Sequence, residues 1–213
     1  MNKMTEIEYI EKSNPGLQTE QFLQLDLLFK IYNLRNTRKK LKRKLKCLEK
    51  SMKRENTVDF TRKIKAFKVV STENNDKFKN TMAKLETSYN IFRFAKELKN
   101  NNQYLSNLEK KRNKRLIDPK SYEITKGFYL QKIIDINDNV EHLKDIAIRY
   151  FQELKDELIN LEDQRIKLIT EKLKKTIEKD KFVQECKEIE KLKRQNEEKY
   201  AFLKVEVIDF ELS

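Results

Sequence analysis

The sequence predicts an all-α protein: elongated antiparallel coiled-coil hairpins sharing one long central helix, with a short extended C-terminal tail. Three observations predict it. The 213 residues include only two glycines and two prolines, too few for the tight turns of a sheet-rich domain, which draw on residues that tolerate unusual φ. Charged residues make up 39% and hydrophobic residues 38%, the profile of long, solvent-exposed helices. Apolar residues recur at spacings of three and four over long stretches, the period of a helix that buries one stripe.

Residues 1–18 read as an irregular lead-in, with a Pro-Gly pair in Ser13-Asn14-Pro15-Gly16. Residues 19–75 read as a basic N-terminal helical region. Nine of the thirteen residues from Phe22 to Leu34 are apolar, too many for a surface helix, so this segment must bury itself in its own core, a partner or a membrane interface. The helix then continues along Leu41, Leu45, Leu48 and Met52. Thr57 and Asp59 suggest a break, Phe60, Ile64 and Phe67 a short amphipathic helix, and Glu73-Asn74-Asn75-Asp76 an end before residue 76.

Residues 76–204 read as the long helical-hairpin region. Phe78, Met82, Leu85, Tyr89 and Phe92 start a seam that runs to Leu108, giving a helix of about 38 residues that ends at Leu116-Ile117-Asp118-Pro119. Asp118 is placed to cap the next helix, Pro119 takes its first position, and Ile117 can staple to Tyr122. The next helix carries an association seam of Tyr129, Ile133, Ile136, Val140, Leu143, Tyr150, Leu154 and Leu161. It extends to about residue 175, roughly 85 Å. At an offset of 60 the turn signature returns, with Ile177, Glu178 and Phe182 matching Ile117, Asp118 and Tyr122. A last helix follows, and residues 205–213 read as an extended tail carrying Val205, Val207, Phe210 and Leu212.

Charge is segregated along the chain. The formal total is +13, yet residues 31–68 hold 15 basic and 3 acidic side chains, while residues 121–163 hold 5 basic and 10 acidic. Such an arrangement permits head-to-tail association or docking between halves. The densest run holds Arg35, Arg38, Lys39, Lys40, Lys42, Arg43, Lys44 and Lys46. Three readings of it stand side by side: the solvated face of a coiled coil, a surface for anionic membrane, or a sequence-independent nucleic-acid contact. No finger or basic-region signature supports base readout, so nucleic acid is the least favoured partner.

Chemistry-bearing constellations are scarce. His142 stands beside seam residue Leu143 without a Cys or His companion, and the one histidine excludes a pair of Glu-x-x-His motifs. No phosphate loop or nucleophile elbow is present. Cys47 and Cys186 form neither a disulfide framework nor a metal cluster, which suits a reducing cytoplasm. No secretory signal and no span of about 18 apolar residues is expected. The expectation is therefore no enzyme, no cofactor, no metal and no small-molecule substrate. Function is expected to be association with protein partners or with itself, at a cytoplasmic location, with attachment to a membrane face as the alternative.

The paired turn elements, Leu108-Glu109 to Tyr122 and Leu168 to Phe182, resemble the core helical hairpins of ESCRT-I subunits, the endosomal sorting complex with a stalk of hairpins. There a Leu/Glu-rich helix ends in a short I/V-[DS]-x-x-x-[FY] turn, matched here by Ile117, Asp118 and Tyr122 and again by Ile177, Glu178 and Phe182. The resemblance covers about residues 100 to 205, and this chain departs from it in holding two hairpins rather than one. It implies a scaffold subunit in membrane remodelling or ubiquitin-linked sorting. A basic N-terminal half on a long helix is also similar to ESCRT-III filament proteins, although the acidic stretch here lies mid-chain.

Overall fold

The computed structural model describes residues 15–52 and 58–210. Among these residues the elements are helical and no strand occurs. Helix α1 spans Pro15–Met52, α2 Val58–Met82, α3 Ile91–Asn113, α4 Pro119–Leu173 and α5 Lys179–Phe202. A short 3₁₀ turn, Thr87–Tyr89, lies between α2 and α3, and a π-helical turn, Leu203–Ile208, follows α5. The chain divides into two units, the first ending at Tyr89 and the second beginning at Asn90.

In the first unit α1 begins at Pro15, so the Pro-Gly pair starts a helix rather than belonging to a lead-in. Proline suits that place, because its missing N–H would be unpaired in any case. The expectation for residues 1–14 lies outside the described residues. The apolar crowding after Thr19 resolves as expected into burial, with Phe22, Leu25, Leu28 and Ile31 at 8% exposure or less. Helix α1 packs on α2. Gln24 Oε1 accepts a hydrogen bond from the Glu86 amide at 3.1 Å, and the Arg38 guanidinium lies 5.9 Å from the Phe78 ring centre. Residue numbers thus fall along one helix as they rise along the other.

Helix α2 corrects the expectation of an end before residue 76. It runs unbroken to Met82, because Phe60, Ile64, Phe67, Ser71, Asn74, Phe78 and Thr81 hold one 4,3 seam that is buried or half-buried throughout. Tertiary packing of that seam outweighs the weak helix propensity of Val69, Val70 and Thr72. The division expected at residue 75 therefore falls inside α2. The chain turns instead over residues 83–90, where the Asn90 side chain caps α3 by accepting from the Arg93 amide at 3.1 Å. Helix α3 has 23 residues, against the 38 expected.

The second unit is organised by α4, whose 55 residues correspond to about 82 Å. It packs against α3, α5 and the π-helical turn. Arg112 approaches Glu123 at 3.8 Å, and Tyr104 stacks on Tyr129 with ring centres 5.4 Å apart. Farther along, Lys193 bonds Glu162 at 2.7 Å, Asn196 bonds Glu157 at 2.8 Å and Lys199 donates to the Tyr150 hydroxyl at 3.2 Å. Both neighbours of α4 run opposite to it, α3 beside its first part and α5 beside its last.

The two turns that flank α4 repeat each other at an offset of 60 in their backbone hydrogen bonds. Leu116 donates to Lys111 O at 2.9 Å and Thr176 to Glu171 O at 3.0 Å, the six-to-one bond that closes a helix end. The residues that open each turn, Arg115 and Lys175, have φ of 55° and 56°. A cation from the end of the preceding helix covers a ring in each: Arg112 lies 4.3 Å from the Tyr122 ring centre and Lys172 lies 4.1 Å from that of Phe182.

The extended tail expected from residue 205 is corrected over its described part. Residues 203–208 wind as a π-helical turn, with Asp209 N bonding Lys204 O at 2.8 Å. The wider turn buries Leu203 and Val207 to 1% and 0%, an i,i+4 pair that a strand would hold too far apart, while Val205 remains exposed. Residues 211–213 lie outside the described residues.

Candidate functional site

The predicted seam of α4 is placed inward. Ile136, Val140, Leu143, Tyr150, Leu154 and Leu161 are buried, and Tyr129 and Ile133 are half-buried. Where partners are defined they belong to this chain: Tyr104 for Tyr129, Lys199 for Tyr150, and Ile189 with Leu168 for Leu161. These residues bring the second unit together, so their side chains are already occupied.

The turn residues are placed as capping chemistry requires. Asp118 has extended backbone angles and its Oδ1 accepts from the Ser121 amide at 2.9 Å. Hydrogen bonds from Ser121 hold its carboxyl below the ordinary value, because they favour the charged form. Pro119 opens α4 and Tyr122 is buried. In the second turn Ile177 and Phe182 pack on Leu161, Leu168 and Ile189. Glu178 has matching backbone angles but makes no side-chain cap, since the extra methylene of Glu places its carboxylate beyond the first amides.

On α1, Arg35, Arg38, Lys39, Lys40, Lys42, Arg43, Lys44 and Lys46 are all exposed, while Leu34, Leu41, Leu45 and Leu48 are half-buried. The basic run is a helix face, held outward by an apolar seam. Lys39, Lys42, Lys46 and Lys50 form one row at spacings of 3, 4 and 4, and each is exposed.

A surface that the seam analysis passed over lies roughly opposite the buried side of α4. Positions 123, 127, 130, 134, 138, 141, 145, 148, 152, 156, 159, 163, 166 and 170 follow spacings of three and four and are all exposed. Five carry Leu130, Ile134, Ile148, Ile159 and Ile166, which are between 42% and 55% exposed. Six carry Glu123, Asp138, Glu141, Asp145, Asp156 and Asp163, and none carries Lys or Arg. The signal was a second 3,4 series running alongside the first, set off by a few positions from the residues that became the core.

Other chemistry-bearing side chains stay dispersed. His142 is exposed on α4, Cys47 is exposed and Cys186 half-buried, both as free thiols. Among the described residues no group of three His, Cys, Asp or Glu is placed to hold a metal ion, and no helix is long and apolar enough to cross a membrane. Comparison of the chain with protein-family models, curated proteins and solved structures finds no match.

Proposed function

We propose that this chain is a non-enzymatic scaffold or complex subunit that assembles with protein partners through the faces of its helical hairpins. The observation that carries the reading is the exposed aliphatic row of α4. The opposite side of that helix is already buried against α3 and α5, and Leu130, Ile134, Ile148, Ile159 and Ile166 stand outside the core, about half exposed. A series of aliphatic side chains at helical spacing is the form in which a helix presents itself to another helix. The resemblance to ESCRT-I stalk hairpins supports the same class of work and suggests a sorting or membrane-remodelling assembly.

The test is sedimentation of the purified chain over a range of concentrations, beside the triple variant Ile148→Gln, Ile159→Gln and Ile166→Gln. These side chains are outside the core, so helicity should be unchanged. The wild type is expected to associate and the variant to stay dispersed. A wild type that sediments as a monomer, indistinguishable from the variant, removes the reading of this face.

A second reading, a peripheral membrane or non-specific nucleic-acid binder, is favoured by the eight exposed cations between Arg35 and Lys46. Contacts of that kind collapse as ionic strength rises from low to physiological. Binding to anionic vesicles or to a duplex of arbitrary sequence that survives moderate salt, or is absent at low salt, argues against it.

A further inference from the structure

We infer that the acidic aliphatic face of α4 receives the lysine row of α1 from a second copy of this chain, making a head-to-tail contact. The inference rests on the association reading above and adds the identity of the partner. Asp138, Glu141, Asp145, Asp156 and Asp163 lie in one exposed row whose own positions from 123 to 170 carry no cation, with Lys155 and Lys167 at its flanks, whereas Lys39, Lys42, Lys46 and Lys50 lie in one exposed row. Both rows repeat at the three- and four-residue spacing of a helix, so they can match along two aligned helices rather than at a single point.

Each row is also unfavourable alone. Like charges three or four apart on a helix repel, and Asp138, Glu141 and Asp145 stand at those spacings, as do Lys39, Lys42, Lys46 and Lys50. Among the described residues Glu141 pairs with Lys144 at 3.1 Å, and Asp156 accepts from Gln152 at 3.2 Å. The four lysines make no ion pair among the described residues. Docking would relieve both rows at once, with lysine stems covering Ile148 and Ile159 while the ammonium groups reach the flanking carboxylates. Because the two patches differ, the contact is heterologous and either closes into a ring or continues as a filament.

The experiment uses the full chain as wild type, as two charge variants and as the isoleucine variant above. The wild type is expected to associate at low ionic strength and to weaken with salt. One variant carries Asp138→Lys, Asp145→Lys and Asp156→Lys, and the other Lys39→Glu, Lys42→Glu and Lys46→Glu. Each alone should lose affinity by about tenfold or more, with helicity kept because all six positions are exposed. Mixed in equal amounts they should associate again, since every row then meets one of opposite sign. A mixture that stays dispersed overturns the proposal and points to a clasp within one chain or to a foreign partner. Charge variants that associate like the wild type overturn it too. If the isoleucine variant alone abolishes association, the face is real and only its proposed occupant is wrong. A wild type that never associates removes both.

Discussion

Two side chains sit in a backbone region that sequence reasoning would reserve for glycine. Arg115 and Lys175 hold φ of 55° and 56°, where a Cβ crowds the following carbonyl. Each opens a turn whose six-to-one hydrogen bond ends the preceding helix, and each follows by three residues a cation laid on an aromatic ring. Glycine would relieve the crowding at the cost of more freedom in the unfolded chain. The left-handed penalty is the larger of the two, so Arg115→Gly and Lys175→Gly should each raise stability by about 0.5–1 kcal/mol. Urea denaturation measures it. A lowered midpoint in both variants would mean that the side chains contribute contacts to the turns that outweigh the strain.

Helix ends decide how the second unit is organised, and the start of α4 titrates. The Asp118 carboxyl is held below its ordinary value by hydrogen bonds from Ser121. A depressed carboxylate contributes stability that is complete above its unfolded value and is lost as pH falls through the folded one. Asparagine caps without ionising. The stability difference between wild type and Asp118→Asn should therefore stay constant above about pH 5 and drift against the wild type below about pH 4, read as urea midpoints over an acid series. Parallel curves would show that the charge of the cap is immaterial. This start of α4 was legible because Ile117, Asp118, Pro119 and Tyr122 each carry a distinct local signal. The end of α2 was not, because Phe78, Met82, Leu85, Tyr89 and Phe92 keep helical spacing straight across the turn at 83–90. Val205 and Val207 misled in the same way, since a π-helical turn buries its residues four apart and leaves the intervening valine outside. The exposed face of α4 was hidden by its neighbour: the buried seam accounted for the helix, and the second series had no core to explain.

Across the whole molecule, charge is separated by sign, with an excess of cations in residues 31–68 and of carboxylates in residues 121–163. Separation of this kind opposes the stability of the isolated chain, because it places like charges at helical neighbour positions. Lys39 and Lys42, Lys42 and Lys46, and Lys46 and Lys50 make three repulsive pairs on one exposed row. Replacing Lys42 and Lys46 by Gln removes all three, and at about 0.2–0.5 kcal/mol for each pair the dispersed chain should gain roughly 1 kcal/mol. The gain should shrink as salt screens the wild type. If the row exists to meet carboxylates on a second copy, the same variant should associate more weakly than the wild type. Stability measured at dilution and affinity measured at high concentration would then move in opposite directions, whereas a row serving only to solubilise the helix would leave affinity unchanged. Unfolding at dilution in low and moderate salt, beside sedimentation of the same two proteins, checks both halves. A loss of stability at low salt would show that these lysines are held by interactions within their own unit.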